Sequence, residues 1–171
     1  KTMLEDFVKQ IAGLLGADYV MLGKLVEAEE GVVEGLAICA QGELVEPFTY
    51  QLKDTPCEQI RTQSLNTISD HVSDLFPKDT MLKTFGIRGY IGIPILNASQ
   101  APVGLLKVLF RKPIEDARFC ESILHIFANQ ISMELQRMES QRLLQFIQFA
   151  VDHVGESAYW MDSDCKFVYV N

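Results

Sequence analysis

A long stretch of helical spacing in the C-terminal third constrains this chain more than any other feature of its sequence. After Pro113, apolar residues recur every three or four positions from Phe119 to Val151. A single helix over 116–154 would be roughly 55 Å long at about 1.5 Å per residue. Because a domain of this size is narrower than that, we expect the distal half to pack on something outside the first domain, or the helix to break near Met138–Gln141.

Upstream of this segment the sequence alternates between strand and turn patterns. Three strand-like runs, 18–26, 32–40 and 44–52, are separated by turn sequences at 29–31 and 41–43, which predicts an antiparallel meander. A second strand pair, 89–96 and 103–110, surrounds a turn at 97–102. An amphipathic helix precedes the strands and is expected to end at Gly16. The predicted fold class is α+β.

The sequence Asp54-Thr55-Pro56-Cys57-Glu58 has the pattern of a helix start. Thr55 is predicted to be the N-cap and Glu58 its partner in a capping box, with the proline at the first helical position. We expect this helix to be short and to end near Arg61. The segments that follow are predicted as a strand at 65–70, a loop at 75–77 and helical turns at 79–85 that stop at Gly86.

Charge and hydropathy exclude several classes of function. The formal net charge is −8, and the basic residues do not cluster, so we expect neither nucleic acid nor an anionic membrane surface as a partner. No apolar run reaches the ~18 residues of a spanning helix. The N-terminal helix carries Glu5, Asp6 and Lys9, unlike a secretory leader. We therefore expect a cytoplasmic protein and interpret the chain as a piece of a longer one.

The four cysteines, Cys39, Cys57, Cys120 and Cys165, are well separated along the chain. Without CxxC or CxxH spacing, a structural zinc site is not expected, and reduced thiols are the default in the cytoplasm. Cys39 and Cys120 are interpreted as packing residues. No metal ligand set is predicted.

Two motifs resemble those of GAF domains in bacterial sensor proteins. One is Asp54-Thr55-Pro56-Cys57; the other is Gly89-Tyr90-Ile91-Gly92-Ile93-Pro94-Ile95, followed by Pro102-Val103-Gly104-Leu105-Leu106. The order of predicted elements over residues 1–140 is similar to that of the GAF domain as well. The resemblance implies a central antiparallel sheet of about six strands. Its N-terminal and long C-terminal helices are expected on one face, with short helices and loops on the other.

The remaining residues resemble the opening of a PAS domain. Phe146–Val154 is similar to its entry helix, and Ala158–Asp162 and Phe167–Asn171 are similar to its first two strands, ending at Tyr-x-Asn. We therefore assign residues 1–140 to a GAF domain, and residues 141–171 to a linker helix and the truncated start of a PAS domain. Such tandems usually precede an output domain, such as a histidine kinase of a two-component system or a cyclic-di-GMP enzyme.

The resemblance also implies a ligand site between one face of the sheet and the lateral helices and loops. Transferred to this sequence, its wall is formed by Phe48, Tyr50, Thr55, Cys57, Phe76, Phe85 and Tyr90. Aromatic walls with a few polar groups are typical of ligand pockets, although the same residues could fill a closed core. The ligand and any cofactor are unknown. The Asn-Lys motif of the cyclic-nucleotide subgroup and the Cys-His pair of bilin-binding domains are both missing.

Cys57 is the residue most open to a chemical interpretation. Backbone N–H groups at a helix start lower a thiol pKa, which would suit a thiol-based reductase; the alternative is a small residue packed beside Pro56. His71 could face the pocket or lie in solvent, while His125 and His153 on the long helix are expected at the surface. Neither a Ser-His-Asp arrangement nor a pair of acids at catalytic spacing is present in the sequence, and we do not expect an enzyme.

The two long helices are predicted to carry more apolar surface than one sheet face can cover. A parallel helical bundle across a two-fold axis would bury the excess, so we expect a homodimer through the N- and C-terminal helices, unless both helices simply pack on their own sheet. The expected function is a small-molecule-sensing, dimerising regulatory module that relays a signal through its C-terminal helix. The alternatives are a ligand-free dimerisation and relay domain, or a thiol-based reductase.

Overall fold

The computed structural model describes residues 2–26, 31–58 and 65–152, together with the backbone of residues 159–161 and 167–170. The chain divides into two compact units, Lys1–Ser132 and Met133–Asn171. Four helices are α1 (Met3–Leu15), α2 (Val72–Leu75), α3 (Thr80–Thr84) and α4 (Ala117–Asp152). The strands of the first unit are β1 (Tyr19–Leu25), β2 (Val32–Ala40), β3 (Glu43–Val45), β4 (Thr49–Gln51), β5 (Asn66–Ile68), β6 (Gly89–Leu96) and β7 (Pro102–Phe110).

These seven strands form one antiparallel sheet in the order β3-β2-β1-β7-β6-β5, with β4 also paired to β2. The β6–β7 hairpin has the predicted turn, and β1 pairs with β7 on one side and β2 on the other. Helix α1 packs on β1 and β2, and its Phe7 ring meets the ring of Phe127 on α4 edge-on, with 5.8 Å between the centroids. The α+β prediction, with an antiparallel sheet and a long C-terminal helix, is confirmed.

Helix α1 begins and ends on local signals. The Thr2 side chain accepts a hydrogen bond from the Glu5 amide, and the Glu5 carboxylate accepts one from the Thr2 amide, so the helix opens with a complete capping box. It ends at Gly16, as predicted, because this glycine adopts a φ of 58° that residues with a Cβ rarely adopt.

The third strand of the predicted meander is interrupted. The run 44–52 contains two short strands, β3 and β4, separated by Glu46, Pro47 and Phe48. Both pair with β2 in one unbroken register, since Ile38 faces Val45 and Glu34 faces Thr49. Because proline has no N–H to donate to the ladder, a single continuous strand was the wrong prediction.

The helix start at Asp54–Glu58 also differs from the prediction. Residues 56–58 form one 3₁₀ turn, and the predicted continuation to Arg61 lies outside the described residues. The Thr55 hydroxyl donates to the Leu52 carbonyl at 2.7 Å, while the Glu58 carboxylate accepts from the Asp54 amide at 3.1 Å. The predicted capping box is therefore wrong. Asp54 has a φ of 62°, which places its own amide, and not that of Thr55, opposite the glutamate.

Two short helices, α2 and α3, follow β5, and each buries one residue, Val72 and Leu82 respectively. Helix α3 lies inside the predicted segment and ends before Gly86; its N-cap Asp79 accepts hydrogen bonds from the amides of Met81 and Leu82. Helix α2 was not predicted; its last residue, Leu75, and its C-cap, Phe76, lie in the segment predicted as a loop.

Helix α4 is continuous for 36 residues, about 54 Å, and does not break at 138–141. Within the first unit its apolar residues divide between two faces: Leu124, Phe127 and Ile131 are buried, whereas Phe119 and Ile126 are about half exposed. Inside the second unit, Arg137 and Glu134 form a bidentate ion pair with distances of 2.7 and 2.8 Å.

The second unit also contains an antiparallel strand pair, β8 (Tyr159–Met161) and β9 (Phe167–Val170), at the positions predicted for a hairpin. Several predicted features lie outside the described residues: the turn at 29–30, the helix stop at Gly155, the turn at 162–166, and the positions of His153, Cys165 and Asn171.

Candidate functional site

A buried cluster on one face of the sheet contains most of the predicted site. Its described members come from β1, β2, β6, β7 and the segments that connect the strands, and none comes from α1 or α4. We call it the lateral cluster. Its buried residues are Tyr19, Met21, Val33, Ile38, Leu52, Cys57, Val72, Leu82, Ile87, Tyr90, Leu105 and Leu109.

Five of the seven predicted site residues belong to this cluster. Cys57 and Tyr90 are members, and Tyr50, Phe76 and Phe85 pack against it. They come from separate segments of the chain and converge because β1 and β7 place the two halves of the first unit side by side. The predicted wall therefore forms one continuous group, within which β6 holds Tyr90 and β4 holds Tyr50.

The other two predicted residues lie at its margin. Phe48 is 44% exposed and outside the cluster, although its ring centroid is 6.0 Å from that of Tyr50. The Thr55 hydroxyl is occupied by its hydrogen bond to the Leu52 carbonyl. Neither residue is part of the lateral cluster, although both were predicted as wall residues of the site.

The Cys57 thiol is buried, with 2% of the residue exposed. Its sulfur accepts a hydrogen bond from the Tyr90 hydroxyl at 3.4 Å. Sulfur is a weak acceptor, so this bond satisfies the buried tyrosine only in part. In this structure Cys57 has no direct access to solvent, which agrees with the packing interpretation of the sequence.

Lys107 is a member of this site that the sequence reasoning missed. It lies on β7 between Leu105 and Leu109, facing the same side, and is only 3% exposed. Its ammonium nitrogen lies 3.9 Å from the centroid of the Tyr50 ring, and it forms no salt bridge or hydrogen bond with any described residue. Burial lowers the pKa of Lys107, because desolvation disfavours its charged form.

A signal for Lys107 was present in the sequence. The β7 segment is apolar at nearly every position, which is typical of a strand covered on both faces. A lysine near the middle of such a strand is therefore expected to have a buried side chain, whichever face of the sheet it is on.

The Tyr50 hydroxyl completes this buried polar group. Its oxygen is buried and has no hydrogen-bond partner among the described residues. Burial raises the pKa of Tyr50 and of Tyr90 well above the ordinary tyrosine value, so both stay protonated and act as donors. The Asp79 carboxylate, held at the start of α3, is close enough to oppose the effect of burial on the pKa of Lys107.

Two cavities of the first unit are lined by described residues. One, of about 170 Å³, is lined by residues such as Leu14, Phe110 and Phe119. The other, of about 230 Å³, lies beside β3 and is lined by Glu5, Ile38 and Pro47 among others. None of the seven predicted site residues is among the residues that line these two cavities.

The histidine and metal predictions can be compared with the described ranges. The His71 side chain is 68% exposed, and its ring nitrogens lie 3.2 Å from Asp74 and 3.4 Å from Asp70. Of the two alternatives for His71, a pocket-facing or a solvent-facing side chain, the structure has the second. Within the described ranges, His, Cys, Asp and Glu residues form no group of three or more suited to a metal ion. Among the described helices, none has the length and apolar character needed to cross a bilayer.

Comparison with solved structures shows which fold this is. A far-red cyanobacteriochrome photoreceptor superposes with a TM-score of 0.64 at 15% identity, covering 80% of this chain and 86% of its own. The GAF3 domain of Slr1393 from Synechocystis sp. PCC6803 gives 0.63 at 20% identity, covering 84% and 96%. The GAF domain region of a putative membrane protein from Geobacter sulfurreducens PCA gives 0.61 at 17% identity, covering 78% and 91%.

The sequence itself carries the family assignment. It has no significant match among curated proteins. Residues 1–135, however, match the GAF domain family, and this range contains the whole sheet, the lateral cluster and both motifs that suggested the resemblance. On that match, the chain belongs to the GAF domain family.

Proposed function

We propose that this chain is a non-catalytic regulatory module that senses a small molecule at the lateral cluster. The observation that carries the proposal is the buried Tyr50 hydroxyl, which has no partner among the described residues. A buried polar group without a hydrogen bond costs about 1–3 kcal/mol, and a ligand that accepts from it would recover that energy. The aromatic groups around it are those that small-molecule sites use.

The family supports the same proposal. The chain belongs to the GAF domain family, and two of the structures to which it is similar are described as cyanobacteriochromes. At 15% and 17% identity these similarities show the fold alone, so a chromophore is not inferred for this chain from them. The ligand proposed here is a small molecule bound without a covalent link.

Native mass spectrometry of the purified chain tests this function. We expect a co-purified small molecule that is lost on denaturation, and a thermal shift with members of a metabolite library. Tyr50→Ala should abolish both signals. Phe48→Ala is the matched control, because it removes a neighbouring aromatic side chain that lies outside the cluster. No bound mass and no shift with any compound would contradict the proposal.

Dimerisation through α4 is a second proposed property, supported by a separate observation. Phe119, Ile126 and Met133 follow one another at intervals of seven residues and are 50%, 54% and 64% exposed. Leu144 and Ile147 continue the same heptad in the sequence, at 66% and 42% exposure. Apolar residues at this spacing form the seam of a two-stranded coiled coil, which a second copy of the chain would bury.

Sedimentation equilibrium tests the dimer. We expect a dimer for the unmodified chain and a monomer for Ile126→Glu, since a buried glutamate pair would be costly. Gln145→Glu adds the same charge at an exposed helical position off the seam and should leave the dimer intact. A concentration-independent monomer of the unmodified chain would exclude this property and leave the ligand proposal unaffected.

We also propose that residues 141–171 are the linker and start of a PAS domain, in a bacterial protein that ends in a histidine kinase or a cyclic-di-GMP enzyme. The strand pair β8–β9 supports the first part, because it lies where the PAS resemblance predicts two strands. A longer protein that contains this chain should show ligand-dependent output, and the output should be lost when α4 is interrupted at Ser140 by a proline. The cytoplasmic location expected from the sequence stays a prediction.

A further inference from the structure

Lys107 occupies an unusual place for a lysine. It lies on the central strand β7, between Met21 of β1 and Gly92 of β6, and is 3% exposed. A buried ammonium is costly unless an anion or several acceptors surround it. Among the described residues its close contact is the face of the Tyr50 ring, 3.9 Å from the nitrogen. The structure therefore contains a buried cation whose electrostatic requirement is met only in part.

The groups around Lys107 are also donors. The Tyr50 hydroxyl has no partner among the described residues, and the Tyr90 hydroxyl donates only to the Cys57 sulfur. A phenol donates one proton, an ammonium donates three, and a thiol is a weak acceptor. The lateral cluster thus contains more donor capacity than its described acceptors satisfy.

We infer that the ligand of the lateral cluster is a small organic monoanion, a carboxylate, whose oxygens accept from the Lys107 ammonium and the Tyr50 hydroxyl. This inference rests on the sensing function proposed above and specifies its ligand class. A carboxylate has the two acceptor oxygens that a cation and a nearby hydroxyl can share. One lysine balances one negative charge, and the Asp79 carboxylate on the same side disfavours a second, which argues against a phosphate dianion.

Tyr50 controls access to the ammonium. It belongs to β4, a strand of three residues that, within the described part of the chain, pairs with Val32, Val33 and Glu34 of β2. The residue itself is only half-buried, although its hydroxyl is fully covered. A short outward shift of this strand would expose the lysine nitrogen and allow an ion pair with the carboxylate to replace the cation–π contact, with the Tyr50 hydroxyl close to the same anion.

Matched pairs of acids and amides test the charge of the ligand. The probes are benzoate against benzamide and hexanoate against hexanamide, titrated calorimetrically into the full 171-residue chain near pH 7. Each pair has the same shape and differs in charge. We expect at least one acid to bind about tenfold or more tightly than its amide, the difference typical of a charge-assisted hydrogen bond.

Variants assign that preference to its residues. Lys107→Met should remove the preference for the acid, whereas Lys24→Met, an exposed lysine on the neighbouring strand β1, should keep it. Tyr50→Phe removes only one oxygen and should weaken binding of the acid by about three- to tenfold. If Lys107→Met does not fold, the Tyr50→Phe result decides alone.

Two results would overturn the inference. One is acid and amide binding equally, which would mean that a neutral ligand is sensed, so the proposed function would stand. An acid preference unchanged by both Lys107→Met and Tyr50→Phe would count in the same way against the inference, because the acid would then bind outside the lateral cluster. The other is no binding by either acid. Native mass spectrometry then decides the proposed function independently, because a co-purified neutral molecule would support sensing while excluding the carboxylate.

Discussion

Replacing Lys107 by methionine should stabilise the ligand-free protein. The side chain is 3% exposed and forms no salt bridge with a described residue, so folding removes its ammonium from water without full compensation. Replacing buried ionic groups by well-packed apolar residues is neutral or stabilising by about 1–4 kcal/mol. The contact with Tyr50, worth about 2 kcal/mol when desolvated, offsets part of this gain. We expect a net gain of about 1–2 kcal/mol at pH 7, or about 2–8 °C in Tm.

The stability gained by Lys107→Met should decrease as the pH rises. The folded-state pKa of Lys107 lies below its value in the unfolded chain, so the unfolded state binds more protons between these two values. The cost of the buried charge is present in full below the folded pKa and disappears as pH rises towards the unfolded value. The stability difference between Lys107→Met and the unmodified protein should therefore shrink as the pH rises towards the ordinary lysine pKa of about 10.4.

Urea unfolding at a series of pH values measures this difference. Tyr50 and Tyr90 stay protonated in this range because burial raises their pKa values, and the Asp79 carboxylate is common to both proteins. A Cys57→Ser background removes the neighbouring thiol from the comparison. Lys24→Met, at an exposed position, should change stability by less than about 0.5 kcal/mol at every pH. A Lys107→Met protein that is less stable at pH 7 would refute the reasoning and give the lysine a structural role.

Two further predictions concern the scaffold. Gly104→Ala should lower the free energy of unfolding by about 1–3 kcal/mol, because its Cβ would lie 2.5 Å from the Gly23 carbonyl oxygen. Gly13→Ala, on a helix with no atom within 4 Å of the new Cβ, should raise it by about 1 kcal/mol; the opposite order in urea unfolding would contradict the packing argument. Asp79→Ala should cost about 0.5–2 kcal/mol through loss of the α3 cap, whereas Asp79→Asn retains a capping side chain and most of the stability. Equal losses in thermal unfolding of these two variants would show that the charge, and not the cap, stabilises α3.

Local patterns predicted the elements whose causes are local. The end of α1 at Gly16, the β6–β7 hairpin and the continuity of apolar spacing along α4 depend on residues a few positions apart. The same reasoning was wrong at Pro47, where one missing N–H divides a strand, and at Thr55. The Thr55 hydroxyl was predicted to accept from the amides of the following turn, but it donates to the Leu52 carbonyl. The left-handed conformation of Asp54, next to it, is not apparent from the sequence.

The candidate site could be predicted only as a set of wall residues. The family resemblance identified five residues that the structure brings together, including Tyr50 and Tyr90. It did not identify Lys107, because the nearly continuous apolar pattern of β7 indicates that both faces of the strand are covered but not which side chains lie beside the lysine. The exposed position of Phe48 also depends on the break at Pro47.

The sequence by itself determined the order of the longer helices and strands and membership of the GAF family, since both depend on spacing and on short motifs. Only the tertiary structure decided that Lys107 lies against Tyr50, a residue 57 positions earlier in the chain. That contact depends on the sheet order, in which β1 and β2 bring β4 to the same face as the middle of β7. Burial and an unmet charge arise from side chains supplied by distant segments, and these are the features that turn an aromatic cluster into a candidate ligand site.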